Sequence, residues 1–158
     1  MVSRSGLYAT ILILSAASPL AAESPREILF PSDTACYARA YSAQHLADHP
    51  AQRVSTIALR PEGALVEDPA MLVWVTITLR DRPDEALEAL AYCQVQDNMR
   101  LGCTMEGDAG AFTIATAKGG AALVSVDKAG MGFEGETDFI TLRADAGDDR
   151  SFLLQPGP

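Results

Sequence analysis

Two histidines have the residue type and spacing for metal chemistry. His45 and His49 lie four residues apart in the segment His-Leu-Ala-Asp-His, and Asp48 precedes the second. On one helical turn this spacing places both imidazoles on the same face, where they can share a zinc ion. Zinc needs a third protein ligand, for which Cys36 and Asp48 are candidates, and the segment lacks the glutamate of a metalloprotease helix. The structural alternative is that His49 ends the helix before Pro50 and that His45 packs on a sheet through a hydrogen bond.

The three cysteines predict one disulfide. Cys93 and Cys103 flank Asp97-Asn98-Met99, and a hairpin with this three-residue loop places the two cysteines directly opposite each other. Opposed residues have Cα atoms about 4.5–5.5 Å apart, which is within disulfide range. We therefore expect a Cys93–Cys103 bond in an oxidising compartment. Cys36 is left over as a packed inert thiol, as a reactive or intermolecular site, or as an alternative partner for one of the other two.

Carboxylates recur in two glycine-containing turns. Oxygen-rich loops can bind calcium, but neither segment has the D-x-D-x-D-G spacing, which favours solvated turn carboxylates. A carboxylate pair for glycoside hydrolysis is a matter of spatial proximity, and the sequence indicates no particular pair. The chain also has no G-x-S-x-G or G-x-G-x-x-G motif. We predict no catalytic residue and no cofactor beyond the zinc alternative. The turn carboxylates are Glu106, Asp108, Asp145, Asp148 and Asp149.

Short β-strands must position these residues. Between Met71 and Arg80 the residues Val73, Val75, Ile77 and Leu79 alternate with a more polar set, a period of two that is typical of a strand. Further short strands are predicted at about ten-residue spacing, separated by glycine and aspartate turns that include 128–130. Three segments are predicted differently. Ile28–Phe30 is expected to be extended, Ser42–Asp48 a helical turn with Ser42 as N-cap, and Asp84–Ala91 a short helix or turn before a strand.

The resulting prediction is a single all-β domain over residues 35–155, following a lead-in segment at 23–34. Its architecture is an antiparallel β-sandwich or a small β-barrel of about eight strands, with one or two short helices. The aromatic residues are spread one per strand, which favours core packing. Trp74 and Tyr37 are the alternative candidates for lining a ligand groove. Loops 61–70, 106–110 and 144–149 are the expected functional loops.

Residues 1–22 have the order of a cleaved signal peptide. Arg4 precedes an apolar run, Pro19 ends it, and Ala22 provides a small residue before Glu23. The run is shorter than the roughly twenty residues that span a bilayer, so an uncleaved anchor is the weaker alternative. No cysteine near Ala22 is available to carry a lipid, which argues against a lipoprotein. We expect a periplasmic or secreted protein without membrane insertion after cleavage.

The net charge of −9 indicates the class of partner. Nucleic-acid binding draws on clustered Lys and Arg, so no nucleic acid is expected, and docking on an anionic membrane is disfavoured. An acidic surface steers basic partners toward itself, although charge also simply keeps a protein soluble. The principal hypothesis is therefore a non-enzymatic binding or accessory module for a basic protein partner. The alternatives are a metal-binding protein or metal-dependent enzyme using His45 and His49, and a structural envelope protein.

One further pattern carries a resemblance. The runs Cys36-Tyr37-x-Arg39-x-Tyr41 and His45-Leu46-x-x-His49-Pro50-x-Gln52-x-Val54 resemble the start of small exported proteins of Gram-negative bacteria that have no assigned activity. The glycine- and acid-rich turn from Cys103 to Gly110 is similar to theirs as well. The resemblance implies an all-β exported domain. It implies no activity and no catalytic residues.

Overall fold

The computed structural model describes residues 22–62 and 70–157, so residues 1–21 of the expected signal peptide and most of loop 61–70 lie outside it. The described residues form two α-helices, one 3-10 turn at Lys118–Gly120 and nine β-strands. The helices are α1 (Pro25–Leu29) and α2 (Ala43–Asp48). The strands are β1 (Tyr37–Ala40), β2 (Val54–Pro61), β3 (Ala70–Leu79), β4 (Arg82–Val95), β5 (Arg100–Met105), β6 (Gly110–Thr116), β7 (Ala122–Glu134), β8 (Phe139–Leu142) and β9 (Ser151–Pro156).

Eight strands close into an antiparallel barrel. Strands β1 to β7 are hydrogen-bonded neighbours in chain order, and β9 then pairs with both β7 and β1. The ninth strand, β8, pairs with the second half of β7 and extends the sheet there. The all-β prediction with one or two short helices is confirmed, and the barrel is the architecture that the chain adopts.

The inner face of the barrel is apolar because most strands alternate between buried and outward residues, most clearly β3. In β3, Val73, Val75 and Ile77 are fully buried, whereas Trp74 and Thr76 between them are only half-buried. Burial of each large aliphatic side chain stabilises the fold by about 1.5–3 kcal/mol. The outward residues of β3 and its neighbours are therefore the ones available for a surface site.

Both helices begin at a serine cap. Ser24 and Glu27 form a reciprocal capping box at α1, and the Ser42 hydroxyl accepts a hydrogen bond from His45 N at 3.1 Å at α2, as predicted. The extended piece expected at 28–30 is wrong, because the capping box and Pro25 at the first helical position start a helix there. This helix buries Leu29 against the barrel.

Two further expectations about secondary structure are wrong. The helix or turn expected over Asp84–Ala91 is the first part of β4, which pairs with β3 through Ala86 to Gln94. Pairing along one whole neighbour overrides the local helix preference of Ala, Leu and Glu. The turn expected at 128–130 is a bulge within β7, where Gly130 has a φ of 85°. The strand bends there and does not reverse.

Candidate functional site

His45 in α2 and His49 at its C-cap lie on the same side of the helix, as expected, and their rings are stacked. Their ring centres are 4.2 Å apart with planes inclined by 19°, and the Tyr41 ring also stacks on His45 at 4.7 Å. His45 Nε2 lies 3.0 Å from Gln52 Oε1. His49 Nδ1 lies 2.9 Å from the His45 carbonyl oxygen, to which it donates. Each imidazole therefore already has one hydrogen-bond partner within the protein.

These contacts leave His45 Nδ1 and His49 Nε2 to bind a metal ion. A ring nitrogen binds through a lone pair in the ring plane, and two nearly parallel planes 4.2 Å apart do not converge on one ion. One ring must turn before they share zinc. Over residues 22–62 and 70–157, no group of three His, Cys, Asp or Glu side chains is placed to hold a metal. The zinc site stays a prediction.

The expected hairpin pairs Cys93 with Cys103. The register continues to Val95 opposite Leu101, and the two Cα atoms are 4.0 Å apart with the sulfurs at bonding distance. Both side chains are buried on the inner face. Cys36 lies outside this pair. It is half-buried under the chain end, where Gly157 N donates to its carbonyl oxygen.

Two of the predicted turn carboxylates make structural contacts. Asp149 is only 3 % exposed, and its carboxylate accepts hydrogen bonds from Arg53 N at 2.8 Å and Val54 N at 3.0 Å. Burial raises the pKa of Asp149, although the two backbone hydrogen bonds oppose the shift. Asp145 forms an exposed ion pair with Arg143. The hydrogen bonds from the Arg143 guanidinium lower the pKa of the Asp145 carboxyl. Both residues hold the turn before β9.

A third carboxylate, Glu106, lies in a cleft on the outer surface of the barrel, which we call the acidic cleft. The cleft has a volume of about 340 Å³ and lies where the first half of β4, the β5–β6 turn and the β7–β8 hairpin meet. The described residues that line it include three carboxylates, two aromatic rings and no Lys or Arg. Its lining residues are Trp74, Glu88, Ala89, Leu90, Glu106, Gly107, Ala109, Gly132, Glu134 and Phe139.

Strand pairing positions the first wall of the acidic cleft. Trp74 faces Leu90 across the β3–β4 pair, and Thr76 faces Glu88 one step along the same outer surface. The Thr76 hydroxyl donates to Glu88 Oε1 at 3.0 Å and so orients that carboxylate. Glu106 joins this wall because its N–H donates to the Leu90 carbonyl oxygen at 2.9 Å.

The β7–β8 hairpin forms the other wall. Arg82 at the start of β4 makes two 2.7 Å hydrogen bonds to the Asp138 carboxylate, which ties the hairpin to β4. Phe139 is 60 % exposed, and its ring lies against Gly132. A Cβ added at Gly132 would overlap that ring and lie 3.0 Å from the Ala109 carbonyl oxygen. The glycine therefore makes room for the aromatic side of the cleft.

The charge of the acidic cleft is not neutralised from within. In the part of the chain that the structure describes, the carboxylates of Glu106 and Glu134 have no hydrogen-bond donor and no ion-pair partner. Carboxylates gathered in a concave site focus a negative potential that attracts cations. The arrangement can bind positive charge and offers ring faces beside it.

An apolar hollow continues from the acidic cleft. It shares Leu90 and Glu106 with the cleft, adds Leu72 and Tyr92, and has a volume of about 390 Å³. Tyr92 is 47 % exposed. The two depressions together form one surface with a charged part and an apolar part, a combination typical of protein–protein contacts.

Sequence reasoning identified part of this site. Glu106 was a candidate turn carboxylate and Trp74 a candidate groove residue, and both line the cleft. Tyr37, the other groove candidate, lies in the core and donates to the Leu29 carbonyl oxygen at 2.7 Å. Glu88 is missed because the sequence predicts a short helix or turn over Asp84–Ala91. In a strand, the alternation of Glu88, Leu90 and Tyr92 would have placed them on one face.

Comparison with known proteins adds no family. Among the described residues, no helix has the length and apolarity that crossing a membrane requires. No protein-family model, no curated protein and no solved structure matches this chain.

Proposed function

We propose that the protein is a non-enzymatic binding module for a basic protein partner in an exported, oxidising compartment. The observation that carries this proposal is the acidic cleft, where no Lys or Arg among the described residues pairs with Glu106 or Glu134 and where the exposed Phe139 ring lines the same depression. A Lys or Arg side chain entering the cleft gains both charged hydrogen bonds and contact with ring faces. The apolar hollow beside it provides area for the flanking residues of the partner.

Among the described residues that line the acidic cleft there is no Ser, Cys, Lys or His, so glutamate carboxylates are the reactive groups it offers. Two of them, Glu106 and Glu134, are unpaired and so available to a cationic side chain. The overall net charge of −9 favours the approach of the same class of partner.

A cationic peptide tests the proposal. The probe is a peptide of alternating Lys, Gly and Arg, titrated into the full processed chain by calorimetry at low and at physiological salt. We expect the affinity to fall as salt rises, because partly exposed ion pairs are screened over about 8–10 Å. The double variant Glu106→Gln/Glu134→Gln should lower the affinity about tenfold, since each partly exposed ion pair contributes up to about 1 kcal/mol and a tenfold change corresponds to about 1.4 kcal/mol.

The control removes the same charge elsewhere. Asp33 and Asp48 are exposed and do not line the cleft. The variant Asp33→Asn/Asp48→Asn should bind the peptide as the parent does. An equal loss in both double variants would mean that the peptide responds only to net charge, and the site would then be wrong.

The exported location has its own support and test. The leader pattern at residues 1–22 indicates export, and the buried Cys93–Cys103 pair at bonding distance fits an oxidising compartment. We also place the chain with the small exported proteins of Gram-negative bacteria that its N-terminal motifs resemble. Mass spectrometry of the secreted product should find a chain beginning near Glu23. A product that retains Met1, or hairpin thiols that alkylate without reductant, would contradict export.

A further inference from the structure

We propose that the acidic cleft selects arginine over lysine in the partner. This inference rests on the proposed function, because a cleft that binds no cation has no preference between two cations. It concerns the chemistry of the side chain that enters the cleft and the aromatic residue that recognises it.

The protein already holds one guanidinium on the same outer surface. Arg60 faces Trp74 across the β2–β3 pair, and its Cζ lies 5.5 Å from the centre of the Trp74 ring. Arg60 Nη1 is also 3.8 Å from Glu62 Oε2, and the Trp74 indole N–H donates to the same carboxylate. An aromatic ring and a glutamate beside it therefore form the setting for an arginine here.

The acidic cleft repeats this combination without its arginine. Glu134 and Phe139 are directly opposed in the β7–β8 pair, and both side chains line the cleft, with the Phe139 ring lying over Gly132. Glu106 lines the same cleft, and none of the described lining residues is a cation. Glu134 and Phe139 are thus accessible to the guanidinium of an arginine from the partner.

The size and the chemistry of the cleft favour arginine over lysine. Its volume of about 340 Å³ is at the low end for ligand cavities, which suits one long side chain. A guanidinium is planar and weakly hydrated, so it stacks on a ring while donating in parallel to a carboxylate. A lysine ammonium is compact and strongly hydrated, and it loses more hydration on leaving water for the same contacts.

Three peptides that differ at one residue test the selection. Each has a central Arg, Lys or citrulline, an uncharged residue of nearly the same shape as Arg, between identical glycine and leucine flanks. Binding to the full processed chain with its disulfide intact is followed by NMR titration. We expect the Arg peptide to bind about threefold more tightly than the Lys peptide, the range of a partly exposed cation–π contact, and citrulline to bind most weakly.

Two variants locate the preference. Phe139→Leu should bring the Arg and Lys peptides to equal affinity, and Glu134→Gln should weaken both. Tyr92→Leu is the aromatic control: Tyr92 lies in the neighbouring hollow and not in the cleft, so its loss should change the affinities of the Arg and Lys peptides by the same factor and leave their ratio unchanged. Thermal melting confirms that each variant is folded, and Phe139 is exposed enough to be replaced without loss of core packing.

The outcomes separate this inference from the proposed function. Equal affinity for the Arg and Lys peptides overturns the selection of arginine and leaves a cation-binding module. A preference that survives Phe139→Leu overturns the assignment of the preference to the Phe139 ring. No binding by either charged peptide, or by the alternating cationic peptide, overturns both.

Discussion

Gly132 is the residue on which the shape of the acidic cleft depends most directly. Its missing side chain is replaced by the Phe139 ring from the neighbouring strand. We expect Gly132→Ala to lower the free energy of unfolding by about 1–3 kcal/mol, because the new methyl group overlaps the ring and approaches Ala109 O. Urea denaturation measures the change.

A double-variant cycle identifies the contact responsible. In a Phe139→Ala background the ring is absent, so Gly132→Ala should then lower the stability by a smaller amount. The same loss in both backgrounds would attribute the effect to the approach of the methyl group to Ala109 O alone.

The pKa of Asp149 should lie above that of an ordinary aspartate, and the pKa of Asp138 should lie below it. Burial raises the pKa of Asp149, whereas the hydrogen bonds from the Arg82 guanidinium lower the pKa of Asp138. Carboxyl carbon shifts followed by NMR should therefore give a midpoint for Asp149 above 3.8 and one for Asp138 below it. The reverse order would mean that the two backbone hydrogen bonds to Asp149 outweigh its burial.

The two carboxyls also make the free energy of unfolding depend on pH in opposite directions. The raised pKa of Asp149 means that its protonation favours the folded state, a contribution present below its unfolded pKa and lost as pH rises through the folded value. The lowered pKa of Asp138 contributes stability above its unfolded pKa, which is lost as pH falls through the folded value. The parent should therefore lose more unfolding free energy between neutral pH and pH 3 than Asp138→Asn does.

At the scale of elements, strand alternation was predictable and pairing over distance was not. The period of two in β3 and the turn between Cys93 and Cys103 are local, so the sequence predicts them. The residues 84–91 prefer a helix in isolation, and only the pairing of β4 with β3 makes them a strand. The acidic cleft is formed where β4 meets the β7–β8 hairpin. These elements are far apart in the sequence, so no local pattern predicts that they meet.

The Cys93–Cys103 disulfide should stabilise the β4–β5 hairpin chiefly through the unfolded state. It closes a loop with a sequence separation of 10, for which the chain-entropy model gives about 2–3 kcal/mol. The variant Cys93→Ala/Cys103→Ala should lose about this amount of unfolding free energy in urea. Reductant should lower the stability of the parent and leave the variant unchanged.

Cys36→Ser is the control for this experiment, because Cys36 lies outside the bonded pair. The free energy of unfolding of Cys36→Ser should fall in reductant by the same amount as that of the parent. A parent protein that melts identically with and without reductant would show that the hairpin is held by its core contacts alone.

At the scale of the whole molecule, the barrel depends on its last strand. β9 pairs with β7 at Leu154 opposite Ala122 and with β1 at Gln155 opposite Ala38. Without β9, the edges of β1 and of the first half of β7 would be left without that partner. Closure therefore joins the two ends of the described chain, and loss of β9 packing should destabilise every strand together.

Two adjacent leucines in β9 make this prediction testable with a matched control. Leu154 is fully buried inside the barrel, whereas Leu153 is 46 % exposed on the outer face. Leu154→Ala should lower the free energy of unfolding by about 2–5 kcal/mol, and Leu153→Ala by about 0.5 kcal/mol or less. Urea denaturation followed by far- and near-ultraviolet circular dichroism should give coincident transitions, because the barrel unfolds as one unit. Separate transitions in Leu154→Ala would show that β1–β7 stay folded as an open sheet without closure.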